Sequence, residues 1–62
     1  MNESANVYLV NRGSHLIEVP IVNEEGKTDS IMVNPHSARG AQLAPGWSVA
    51  KYFTNKLITV RG

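Results

Sequence analysis

The stretch Val7 to Val22, VYLVNRGSHLIEVPIV, sets the period of the chain. Its apolar residues recur every second position, the repeat of an extended strand whose successive side chains point to opposite faces. Asn6 to Val10 is β-branched and aromatic and reads as a first strand. Asn11-Arg12-Gly13-Ser14 reads as a turn, with Gly13 suited to positive φ. His15 to Val22 reads as a second strand, with His15, Ile17, Val19 and Ile21 on one face and Leu16, Glu18, Pro20 and Val22 on the other. Proline cannot donate to a ladder, so Pro20 predicts an edge strand or a bulge.

Outward from this pair the same logic continues. Asn23 to Lys27 is a polar turn with Gly26 at its left-handed position, and Thr28 to Val33 is a third strand. It ends where Asn34 precedes Pro35 and is biased to extended geometry. Trp47 to Phe53 and Leu57 to Arg61 read as fourth and fifth strands, with Thr54-Asn55-Lys56 short enough for a hairpin. Between the third and fourth strands lies the thirteen-residue stretch Asn34 to Gly46, NPHSARGAQLAPG. A connection of that length is uncommon in a small domain and is usually functional. Within it, Ala38 to Leu43 reads equally as a brief extra strand or an irregular crossover. Pro45 and Gly46 suit the centre of a type II turn that would aim Trp47 into the following strand. No helix is compelling. The expected fold is all-β, a single domain over residues 1–62, built as a small five-stranded barrel or a compact two-layer sandwich without significant helix.

Size and composition narrow the function classes. A chain of 62 residues buries only about 60% of its unfolded surface, so its core is marginal. Without cysteine, neither a disulfide nor a thiolate metal site can staple it. Association with another surface is the remaining device. The net charge of +1 points to no electrostatic partner; a nucleic-acid binder would carry a clear basic excess. The N-terminal stretch has no basic region and its apolar run breaks at Asn11, so no signal peptide is read there. Nothing approaches the ~20 apolar residues of a membrane span, and no membrane partner is expected.

Chemistry is sparse. His15 and His36 stand twenty-one positions apart, with no spacing characteristic of a site, and Asp29 and the Glu24-Glu25 pair add carboxylates on a turn. Zinc takes about three or four convergent ligands, so no metal and no cofactor are expected. Asp29 is the sole aspartate, and no G-x-S-x-G elbow, P-loop or dinucleotide fingerprint is present. The chain is read as having no catalytic residue and as not being an enzyme. Trp47, Tyr52 and Phe53, interleaved with Lys51 and Lys56 and joined by Arg39 and Arg61, compose the alternative: a single-stranded nucleic-acid-binding barrel that stacks bases. The bland counterpart is that Trp47 and Phe53 fill the core while the lysines are solvated.

The strand-turn order also resembles small all-β structural and accessory proteins of tailed bacteriophages, of the capsid decoration or cement type. The residues carrying it are Asn11, Pro35 and the Leu43, Pro45, Gly46, Val49 turn-and-strand pattern. The resemblance implies a small virion protein, assembled in the host cytoplasm, that binds a capsid or head-tail subunit by surface contacts and acts in many copies. Nucleic acid is set aside as a partner in this reading, and a phage-encoded inhibitor of a host protein is a further alternative. His36, Arg39 and Gln42 are the expected partner-binding residues, held between the stiffening Pro35 and Pro45. Trp47, with Pro45 and Gly46, is the expected structural anchor.

Overall fold

The computed structural model describes residues 4–62. Six strands follow one another: β1 (Ala5–Asn11), β2 (Ile17–Asn23), β3 (Thr28–Val33), β4 (Ser37–Leu43), β5 (Trp47–Val49) and β6 (Ile58–Arg61). They form two antiparallel three-stranded sheets, β4-β1-β6 and β3-β2-β5. The all-β expectation holds. The arrangement is two separate sheets in layers, not a closed barrel, and it has six strands where five were expected.

The core is the seam between the layers. Leu9, Leu43 and Ile58 from one sheet meet Val19, Ile21, Ile31 and Val33 from the other. These are the alternate positions that the sequence period selects, and Val7, Ile17, Ala41, Trp47, Val49 and Phe53 pack around them. Fully burying each such aliphatic side chain contributes about 1.5–3 kcal/mol.

The long connection is largely a strand. Seven of its residues make β4, which pairs with β1 along its whole length, from Ala5 opposite Leu43 to Asn11 opposite Ser37. The chain reaches β4 through a corner at Pro35-His36, where His36 takes φ of 52° and its N–H donates to the Gly13 carbonyl at 3.1 Å. It leaves β4 through the expected Pro45-Gly46 turn. Gly46 has φ of 86°, and the Trp47 N–H closes onto the Ala44 carbonyl at 3.1 Å. A positive φ at the residue after proline is the type II geometry.

Four local expectations are corrected. Gly13 is not at positive φ, which among the glycines is found at Gly26 and Gly46. It is required by close approach: a Cβ there would lie 2.9 Å from Leu57 Cδ1 and 3.2 Å from Asn11 Oδ1. Pro20 lies in the central strand of its sheet, without being at an edge. Its missing donor coincides with the end of β5. The Ala50 N–H still donates to the Pro20 carbonyl at 3.0 Å, while the Ala50 carbonyl, which a residue-20 N–H would otherwise reach, accepts from Phe53 N–H at 3.0 Å. Proline thus stops the β2–β5 ladder and turns the chain away, which is why the expected strand Trp47 to Phe53 ends at Val49. Consequently Thr54-Asn55-Lys56 is no hairpin; it carries the chain from β5 in one sheet to β6 in the other.

Asn11 locks the end of the sandwich where these crossings meet. It occupies an inward position of β1, after Val7 and Leu9, and is 1% exposed. Its Nδ2 donates to the carbonyls of His15 (2.8 Å) and Val33 (3.0 Å), and its Oδ1 accepts from Gly13 N–H at 2.8 Å. One side chain therefore ties the β1–β2 turn to the end of β3.

Candidate interaction surface at the β4 edge

The site begins with ladder parity. Antiparallel pairs alternate between hydrogen-bonded and open residues. Arg12 N–H donates to Leu57 O at 2.8 Å, in register with the pairs Val10–Thr59 and Tyr8–Arg61. The even residues of β1 therefore bond β6, and its odd residues bond β4. On β4, Ser37, Arg39, Ala41 and Leu43 direct their backbone groups to β1. Ala38, Gly40 and Gln42 direct theirs to the free edge. Among the described residues, nothing hydrogen-bonds those outward groups.

The same parity treats β3 differently. Ala50 N–H to Pro20 O assigns the even residues of β2 to β5, so its odd residues bond β3 and Thr28, Ser30 and Met32 face outward. Here side chains intervene. The Asp29 Oδ1 accepts from Ser30 N–H at 2.8 Å, and Arg39 Nη1 donates to the Met32 carbonyl at 2.7 Å. The other two edges are short: β5 has three residues and β6 four. Among the described residues, one long edge is thus partly covered and the other, β4, is open.

The predicted contact residues divide around this edge. Arg39 pairs with Leu9 in register, so it lies on the inner face of its sheet, and its guanidinium reaches across the layers to β3. Gln42 lies on the opposite face, opposite Asn6, and its Nε2 donates to Ser4 Oγ at 2.7 Å. His36 sits in the corner before β4. The three are exposed and close in sequence, but the strand does not gather them on one face. Trp47 is half-buried against the core. It also borders an open groove of about 590 Å³ between β3 and β4, whose floor is Ile21, Ile31 and Leu43 and whose rim carries Asp29 and Arg39.

Sequence reasoning gave no contact role to Ala38 or Tyr8, and took Gly40 only as a flexible position beside Arg39 in the long connection. On the outer face, Tyr8 pairs with Gly40 on one side and Arg61 on the other. A Cβ at Gly40 would lie 4.0 Å from the Tyr8 ring, so ring and glycine lie side by side. The legible signal was the small residues at alternate positions of Ser37–Leu43, without lysine or proline. Of the candidate base-stacking residues, Trp47 and Phe53 pack against the core, while Tyr52 is 71% exposed. No group of three or more His, Asp or Glu residues is placed to hold a metal among the described residues. No family model, curated protein or solved structure matches the chain.

Proposed function

We propose that this chain is a small non-catalytic structural protein that joins protein subunits of an assembly by adding a strand to β4. The observation that supports this reading is the open seven-residue edge of β4 beside a β3 edge capped by Asp29 and Arg39. Exposed edges are ordinarily blunted, because unpaired backbone groups template pairing with another chain. Leaving β4 open is therefore consistent with use. In strand addition, main-chain hydrogen bonds provide affinity and alternate side chains provide selectivity. The setting is the one implied by the resemblance to tailed-phage decoration proteins: a virion, with the chain present in many copies, each making modest contacts that gain strength through multivalency.

The test is hydrogen exchange of the β4 amides in the chain alone and after binding to purified heads of the phage that encodes it. On binding, Ala38, Gly40 and Gln42 should become protected. Binding that leaves those amides exchanging freely rejects strand addition. Absence of head binding, together with tight oligothymidine binding that falls steeply with salt, rejects the structural role in favour of a nucleic-acid one.

A further inference from the structure

We propose that the strand added to β4 is the β4 of a second copy, paired antiparallel about a two-fold axis at Gly40. This deepens the strand-addition reading and rests on it. Residues 37–43 place Gly40 at the centre of the strand, with three residues on either side. An antiparallel pair centred there sets Gly40 against its own counterpart and Ala38 against Gln42 of the other copy. Every outward-facing residue of β4 then meets an outward-facing residue, as an isologous interface requires. Two three-stranded sheets become one continuous sheet of six.

The side chains permit this register and oppose its neighbour. On the outer face the central residue is glycine and the next is alanine, so little bulk stands beside the approaching backbone. On the inner face the two-fold at Gly40 sets Arg39 across from Ala41. Sliding the copies by two residues toward the N-terminus would set Arg39 directly opposite Arg39, and like charges directly opposite are destabilising. Sliding them the other way would draw Ala44, outside the strand, into the pairing. The centred register alone uses all three outward residues without opposing charges. A second copy also answers the marginal core, since association is the one staple open to a chain this small without cysteine.

The experiment uses the full chain. Sedimentation velocity over a concentration series should show the 6.8 kDa chain associating into a two-chain species. Ala38→Cys mixed with Gln42→Cys should cross-link on oxidation, whereas neither should cross-link efficiently with itself. Gly40→Pro removes an outward N–H and no β1 bond, a position where an edge strand tolerates proline. It should weaken association roughly 10- to 100-fold, from two lost bonds per dimer. Ala38→Pro serves the same purpose should Gly40→Pro fail to fold by circular dichroism. A chain that stays monomeric at high micromolar concentration overturns the second-copy proposal, as does a dimer indifferent to the folded proline variant or cross-linked in another register. Protection of the β4 amides on phage heads would then still uphold strand addition by a different subunit, so the two readings fail separately.

Discussion

Replacing Asn11 by alanine tests whether the polar lock at the end of the sandwich holds the two sheets in register. The side chain is 1% exposed and makes three hydrogen bonds of 2.8–3.0 Å. Each such bond contributes about 1 kcal/mol net. Truncation also leaves the N–H of buried Gly13 without its acceptor, at a cost of about 1–3 kcal/mol in place of its bond. The His15 carbonyl is only partly buried and recovers some of its loss from water. The Val33 carbonyl lies in the Ile17–Val33 pair of the β2–β3 ladder and keeps a backbone partner. The expected sum is about 3–4 kcal/mol. At about 0.05–0.15 kcal/mol per residue, a 62-residue domain has roughly 3–9 kcal/mol in total. Thermal melting followed by circular dichroism should therefore show a midpoint lowered by more than about 12 °C, at about 4–8 °C per kcal/mol for this size, or no folded baseline. Asn11→Asp sharpens the result. It keeps the acceptor for Gly13 but turns a carboxylate oxygen toward two carbonyls. Burial and those dipoles raise the folded-state pKa above the unfolded value of about 3.9. The penalty thus grows as pH rises above that value and shrinks on acidification toward it. A fall of less than about 5 °C for Asn11→Ala, equivalent to about 1 kcal/mol, would refute the role given to this network.

Proline scanning of β4 by melting temperature should follow parity: Ala41→Pro breaks a β1 ladder bond and should lose about 3 kcal/mol, whereas Gln42→Pro should lose much less. His36→Gly relieves a left-handed residue that carries a Cβ, and chemical denaturation should show a gain of up to about 1 kcal/mol. Trp47→Ala should lose about 2–3 kcal/mol, somewhat below the ~3–5 of a fully buried aromatic, because the ring is half-buried at the groove rim. Arg39→Ala should lose only about 0.5–1.5 kcal/mol, yet it uncaps the Met32 carbonyl and should raise light-scattering aggregation relative to wild type.

The strands that pack the seam were legible because their alternation is strong. Ile17, Val19 and Ile21 share a face in sequence and in the fold, and Ile31 and Val33 continue it on the neighbouring strand. Glycine turns at Gly26 and Gly46 were legible because positive φ leaves few other choices. β4 was not. Its inner face reads Ser37, Arg39, Ala41, Leu43, with one large apolar residue among four and a charge where the pattern asks for bulk. Local propensity is weak there, and pairing with β1 decides the conformation, as tertiary context does for strands in general. Pro20 misled for a related reason: a ladder position is forbidden to proline only where a donor is needed, and no sequence window reveals that β5 ends at that rung.

Those two departures from simple patterning share a physical logic that bears on the site. Arg39 would be a poor choice for an inner face whose only task was to fill the core. Its side chain borders the groove that exposes Ile21, Ile31 and Leu43, and its head caps the neighbouring edge at Met32. Asp29 pairs in register with Ile21 and so stands on the inner face of the other edge strand, where it caps Ser30. Both charges act on β3, although one of them belongs to β4. Protection is therefore directed to one edge by residues drawn from both, and the unguarded edge is the one whose outward positions are Ala38, Gly40 and Gln42. If pairing at β4 were merely tolerated, Gly40→Lys would be a silent surface change. If β4 is the working edge, lysine there should abolish association in sedimentation velocity while the separate chain still gives a folded β spectrum by circular dichroism, because Gly40 faces the outer surface and a Cβ has room beside Tyr8. Unchanged association in a folded Gly40→Lys chain would mean that the open edge is incidental.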